Sequence, residues 1–314
     1  EYEKDSLFLT SPISNLLEEY KESNKANMDF QALFSHHAGI QPWLPFYKNT
    51  LSEKTSRPQK KFYRNKQKRK HALQVSENLF LRTNYLEEIK DEIIGSPLLD
   101  SLYYKYSDLP FYMFKEYIEE HYGQRMDKLV EKEFYAPIGA SHLGYLPLQE
   151  VDVSQVVPSE VDDYYRHTEI QGFVHDMGAA MQNGVGGHAG LFSNANDVAK
   201  VMQMFIQGGS YGGREFFSPS TINHFNTRYY KIDGNRRGIG FDKQQFEDPG
   251  PTCLCASEQS FGHSGFTGTF AWADPTYDLV YVFLSNRTYP IMENTKMVDT
   301  NLRSEIQRII YKAI

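Results

Sequence analysis

The chain has 314 residues, 40% of them hydrophobic, enough to bury a substantial core in one large domain or two smaller ones. Its formal net charge of -7 argues against general nucleic-acid binding, because a duplex-binding surface needs a net basic footprint to neutralise phosphates. The longest apolar run, Leu279 to Leu284, falls far short of the roughly 20 residues that a membrane-spanning helix needs.

In chain order, Ser11-Pro12 followed by Ile13, Leu16, Leu17 and Tyr20 predicts a short amphipathic helix with proline at its first position. Asp29 is placed to cap a second short helix over Phe30 to His37, ended by Gly39. Lys48 to Lys70 turns polar and strongly basic, with Lys60, Lys61, Arg64, Lys66, Lys68, Arg69 and Lys70 close together. It reads as the start of a basic surface insertion over 48–100, and its blandest role is a solvated loop.

From Pro110, apolar residues at Phe111, Phe114, Tyr117, Ile118 and Tyr122 recur at helical spacing, with Gly123 as the stop. Met126, Leu129, Val130 and Phe134 predict a following helix that runs to Pro137-Ile138-Gly139. Ser193 or Asn194 can cap a helix carrying Val198, Val201, Met202, Phe205 and Ile206, which Gly208-Gly209 terminates. Arg237 to Phe241 reads as a strand beside an antiparallel hairpin, Phe261 to Asp274 and Leu279 to Asn286. The last helix places Leu302, Ile306, Ile309 and Ile310 together against that hairpin. Cys253 and Cys255, one residue apart, are too close for an ordinary disulfide and too few for a zinc site. Helices at both ends and antiparallel strands near the C-terminus indicate a mixed α/β (α+β) layer architecture in one domain, 1–314.

Four short motifs stand in order. They are Leu33-Phe34-Ser35-His36-His37-Ala38-Gly39-Ile40, Lys105-Tyr106-Ser107-Asp108 running into a helix, Gly187-His188-Ala189-Gly190-Leu191-Phe192-Ser193, and His263-Ser264-Gly265. Together they resemble the class C β-lactamases, DD-peptidases and related esterases, in which Lys or His, then Ser or Thr, then Gly lines the cleft. Val174-His175-Asp176 and Gly250-Pro251-Thr252-Cys253 resemble the subgroup fused behind family 3 β-N-acetylhexosaminidases in Bacteroidetes. The resemblance implies a β-lactamase/transpeptidase-like fold and an acyl-serine mechanism on peptidoglycan-like or other acyl substrates, without cofactor or metal. It also implies an N-terminal glycoside hydrolase partner domain and an exported, periplasmic or outer-membrane-associated protein.

No Ser-x-x-Lys, the nucleophile motif of that family, occurs anywhere in the sequence. In the family this motif lies just before the equivalent of Tyr2 to Ser6. The N-terminal strands and the nucleophile helix are therefore expected upstream of Glu1, and this chain alone is expected to be inactive. The competing expectation is a non-catalytic ligand-binding or scaffolding domain accessory to a glycosidase.

The resemblance makes Tyr106 the proton-relay candidate. A phenol with a pKa near 10 is a poor base unless nearby cations lower it. Asp108 replaces an asparagine that donates its amide to the substrate. An ionised carboxylate cannot donate, leaving a cation partner or a helix N-terminal acid as its roles. His263 takes the family lysine's place as a pH-sensitive cation for a substrate carboxylate, with Ser264 offering a hydroxyl to the same group. Gly265 lets substrate approach the strand, and the resemblance implies that the Phe266 N–H forms half of an oxyanion hole, the missing serine's own N–H the other half. His36 and His188 are read as hydrogen-bonding loops around the cleft. Ser35, Ser107 and Ser264 are weak alternative nucleophiles, since none sits in a Gly-x-Ser-x-Gly elbow.

Overall fold

The computed structural model describes residues 1–248 and 250–314. Its α-helices are α1 (Phe30–Phe34), α2 (Tyr85–Gly95), α3 (Leu109–Tyr122), α4 (Met126–Val130), α5 (Met177–Met181), α6 (Ala195–Ile206), α7 (Pro219–Phe225), α8 (Lys296–Asp299) and α9 (Leu302–Ala313). The strands are β1 (Tyr63–Arg64), β2 (Leu73–Ser76), β3 (Leu79–Leu81), β4 (Glu160–Asp162), β5 (Thr168–Ile170), β6 (Ser210–Tyr211), β7 (Arg214–Glu215), β8 (Asp242–Lys243), β9 (Phe261–Ser264), β10 (Phe270–Asp274) and β11 (Leu279–Phe283). The largest sheet has the order β11-β10-β9-β8 and is antiparallel throughout.

This sheet lies between two helices because its side chains alternate between its faces. Phe270 and Trp272 point to one side, where Ile306 and Ile310 of α9 cover them. Ala273 and Phe261 point to the other, against Met202, Val198 and Phe205 of α6. Full burial of Phe261 alone contributes roughly 1.5–3 kcal/mol. A separate helical region packs α1 on α3 through Phe30, Phe34, Phe114 and Tyr117.

Several expectations need correction. Residues 11–20 form two short 3-10 turns, Ile13–Asn15 and Glu18–Tyr20, instead of an α-helix. Leu17 is extended, and the Ile13 and Ser14 amides are taken by the carbonyls of Met28 and Ala26, so no continuous helical ladder forms. Helix α1 is capped by Asp29 as read, but it ends at Ser35, where His36 turns left-handed at φ 54°. Arg237 to Phe241 is not a strand. Gly238 lies under the Phe225 carbonyl, where a Cβ would sit 2.4 Å from the oxygen, and Ile239 and Gly240 donate to Phe225 and Phe34. The strand begins at Asp242, once the left-handed Gly240 has redirected the chain. The predicted strand Phe261 to Asp274 is in fact two antiparallel strands, β9 and β10, and His263 and Ser264 lie at the end of β9, just before the turn between them.

The basic side chains of Lys66, Lys68, Arg69 and Lys70 are exposed, yet 48–100 is no mere appendage. It builds the β1-β3-β2 sheet and α2, and sends Tyr63, Val75, Leu81 and Ile89 into the main core. Cys253 and Cys255 form a disulfide, with their Cα atoms 5.1 Å apart. Leu254 between them is left-handed at φ 56°, and that reversal turns the two side chains towards each other.

Candidate active site

Five segments converge on one cleft: the turn after α1, the approach to α3, the Asp176 and His188 turns, the bend before β8, and the end of β9. Gly187 allows one especially close approach. A Cβ there would lie 2.0 Å from the Phe111 carbonyl oxygen, so only glycine lets the His188 turn pack under α3.

Tyr106 is half-buried between two imidazoles, with ring centroids 4.4 Å from His36 and 5.9 Å from His263. The Arg237 guanidinium lies over its ring at 5.1 Å. Burial and then the Asp108 carboxylate push the phenol's pKa up, and Arg237 opposes them without prevailing. Tyr106 is therefore a neutral hydrogen-bond donor at physiological pH, not a phenolate base.

Asp108 stands at the N-terminal end of α3 but makes no side-chain cap. Ser107 does that work, its Oγ accepting the Leu109 N–H at 3.2 Å and donating to the Gln41 carbonyl at 2.6 Å. The Asp108 carboxyl instead interacts with Tyr106. Burial raises its pKa, His188 pulls it down, and the nearby Asp176 charge adds to the rise. Behind it, His188 Nε2 meets Asp176 Oδ1 at 2.7 Å, and the same oxygen accepts the Ala179 N–H at 2.7 Å. Burial works against charge on both members, but their mutual attraction outweighs it, raising His188 and lowering Asp176. His188 also stacks on Tyr112 at 4.4 Å.

His263 is not the cation expected at this position. Its Nδ1–H donates to the Ser264 carbonyl at 2.7 Å, and its Nε2 accepts from Arg237 at 2.8 Å. Burial, then the Arg237 charge, hold its pKa below the usual histidine value. The fixed positive charge belongs to Arg237, which is buried, bonds Tyr104 at 3.2 Å and lies 3.6 Å from Asp242. Sequence reasoning missed Arg237. Its one signal was a second consecutive arginine, Arg236-Arg237, entering a segment read as an apolar strand.

His36 acts as read, tying loops together. Its Nδ1 accepts the Ser107 N–H at 3.2 Å, and burial and then Arg237 hold its pKa well below the ordinary value. Ser35 and Ser107 are buried and face backbone carbonyls, which removes them as nucleophiles. Ser264 is half-exposed, and among the described residues no base bonds its hydroxyl.

Gly265 begins the β9–β10 turn, its N–H bonding the Thr269 carbonyl at 2.8 Å, and a Cβ there would strike Thr269. Phe266 follows, 60% exposed, stacked on His175 at 5.6 Å with Arg287 over its ring at 4.8 Å. Among the described residues its N–H donates to no acceptor in the chain. The cleft thus presents a free backbone donor, a neutral phenol, a neutral imidazole and a buried guanidinium. These groups can bind and polarise an acyl oxygen.

A family profile described as Beta-lactamase matches residues 1–302. The chain belongs to that family, whose members share the β-lactamase/transpeptidase-like serine-hydrolase fold. Among curated relatives, proteins of Escherichia coli K12 and Salmonella enteritidis, each provisionally named a D-alanyl-D-alanine carboxypeptidase, are each 33% identical over 205 residues. Each match covers 61% of this chain and 47% of the relative, so the chain spans about half the length of the curated relatives it matches. Among solved structures, a penicillin-binding protein homologue from Caulobacter crescentus superposes with TM-score 0.59 at 16% identity, covering 91% of this chain and 72% of its own. EstCE1, a hydrolase with promiscuous acyltransferase activity, does so with TM-score 0.63 at 15% identity, covering 99% and 80%. These two likenesses establish the fold.

Proposed function

We propose that this chain forms the substrate cleft of an exported serine hydrolase of the β-lactamase, DD-peptidase or esterase type, whose nucleophilic serine and its lysine lie outside these residues. The observation that carries the proposal is the cluster of Tyr106, Arg237 and His263 at the end of β9, followed two residues after Ser264 by a Phe266 N–H with no acceptor among the described residues. A backbone donor held in that position suits an oxygen that gains charge as an acyl carbonyl becomes tetrahedral.

In the proposed reaction the serine hydroxyl passes its proton to the accompanying lysine amine as its oxygen bonds the acyl carbon, and the carbonyl electron pair moves onto the carbonyl oxygen, which the Phe266 N–H is proposed to receive. Collapse re-forms the carbonyl and expels the leaving group, which takes up a proton. Tyr106, kept protonated by its surroundings, suits donation towards that group. Arg237 fixes His263 in the tautomer that bonds the Ser264 carbonyl, which holds the end of β9 in shape. Water then cleaves the acyl-serine.

The names of the E. coli and Salmonella relatives favour a peptide acyl substrate of cell-wall type, and the motif resemblance favours a glycoside hydrolase partner in the same polypeptide. Assay of the natural gene product on a diacyl-lysyl-D-alanyl-D-alanine peptide, a nitrophenyl ester and a chromogenic cephalosporin tests the reading. Turnover of at least one, lowered about 10²–10⁴-fold by Tyr106→Phe, is expected. Saturable binding with no turnover of any would instead favour a non-catalytic accessory domain, a reading supported by the lack of Ser-x-x-Lys in the sequence.

A further inference from the structure

A second cavity lies away from this cleft. It is enclosed by the end of β2, the segment 146–153, β5 and the stretch 171–184, and has a volume of about 570 Å³. That size falls within the range of sites for small organic ligands, roughly 300–1,000 Å³. None of Tyr106, Asp108, Arg237, His263 or Phe266 lines it.

The walls are preformed. Gly172 and Gly184 are left-handed, at φ 75° and 79°, and a Cβ on either would strike the Leu148 or Leu146 side chain, at 2.5 and 2.7 Å. Leu146 and Asn183 are left-handed as well, at φ 53° and 59°, a backbone state that leucine rarely adopts. The Gln171 amide reaches the carbonyls of Val153 and Val156 at 3.1 and 2.7 Å, and pins that loop across the rim. Gln74 donates its N–H to Asn183 Oδ1 at 2.8 Å, joining β2 to the opposite wall.

The chemistry of the lining is one-sided. Val75, Leu146, Leu148, Phe173 and Phe192 supply apolar surface, and among the described residues the only charged ones in the lining are Glu77 and Glu169, with no Lys, Arg or His. Glu169 is oriented by the Tyr289 hydroxyl at 2.9 Å, whereas the Glu77 carboxylate has no hydrogen-bond partner among the described residues. Two carboxylates without a counter-charge in the lining repel anions and favour a cation.

We propose that this cavity binds a small organic ammonium ion with an apolar body. It is independent of the acyl-transfer reading. Val174, which lines the cavity, directly precedes His175 and Asp176 in the chain.

The test uses phenethylammonium and phenylpropanoate, of similar shape and opposite charge, in titration calorimetry with thermal unfolding in parallel. One-to-one saturable binding of phenethylammonium, with a raised unfolding temperature and no binding of phenylpropanoate, is expected. The double change Glu77→Gln, Glu169→Gln should weaken it about tenfold or more, and Val153→Trp should abolish it by filling the mouth. All three side chains are exposed, so these variants leave the core intact. Failure of phenethylammonium to bind, equal binding of the anion, or affinity unchanged by Val153→Trp would overturn the proposal.

Discussion

Arg166→Met should be among the most damaging single changes in the cleft's support, although the Arg166 side chain is wholly buried. Its Nε bonds Asp162 Oδ2 at 2.8 Å with both side chains wholly buried, and its two remaining nitrogens bond the carbonyls of Val174 and His175 at 2.7 Å each. Asp162 Oδ1 in turn accepts the N–H groups of Tyr164, Tyr165 and Arg166. Removing the guanidinium leaves a buried carboxylate without its counter-charge and two carbonyls without donors. Breaking one side of such a pair costs about 3–5 kcal/mol. For 314 residues, with an unfolding entropy of about 2.1 cal/mol/K per residue, that corresponds to a fall of roughly 5–8 °C in unfolding midpoint. Thermal unfolding by circular dichroism measures it, with the surface change Lys66→Met as control. A fall of less than about 1–2 °C would refute the claim that this pair holds the segment leading to His175 and Asp176.

Other expectations follow from the same contacts. His188, whose pKa Asp176 raises, should contribute stability fully present below pH of about 6.5 and lost as pH rises through its elevated value. That slope in denaturant titrations should vanish in Asp176→Asn. Lys243, buried and with its pKa lowered to about 7, works in the opposite sense: stability should rise with pH from about 7 towards the free lysine value, and Lys243→Met should flatten the rise. Imidazole NMR should find His263 titrating below an ordinary histidine, and Arg237→Met should move it upward. Gly187→Ala should cost roughly 1–3 kcal/mol in chemical denaturation, since its Cβ meets a backbone carbonyl that cannot step aside.

Elements with both a period and a stop signal were legible from sequence. Helix α3 ends at Gly123 and α6 starts at Asn194, because the left-handed glycine and the amide cap are local instructions. The β10–β11 pairing was legible from its apolar runs, but the turn at 265–269 that splits the predicted strand Phe261 to Asp274 into β9 and β10 was not. Where distant backbone decided the outcome, reading failed: residues 13 and 14 give their amides to 28 and 26, and 239 and 240 give theirs to Phe225 at the end of α7 and Phe34 at the end of α1. The four apolar positions of α9 were found, yet Ile309 is 67% exposed while Ile306 and Ile310 are packed, since period alone does not fix which edge of a stripe faces the sheet. In the cleft, residue identities were legible and charge states were not. Neutral His263 and protonated Tyr106 follow from burial and from Arg237 and Asp108, partners that only the fold brings together.

The central claim is that this cleft serves an acyl-serine formed on a nucleophile outside the chain. Intact mass measurement after incubation with a fluorophosphonate, on the natural gene product and on this chain, tests it most directly. The account predicts a single adduct on the gene product, at a serine outside residues 1–314, and none on this chain. An adduct on this chain, at Ser264 or elsewhere, or no adduct on either protein, would contradict it.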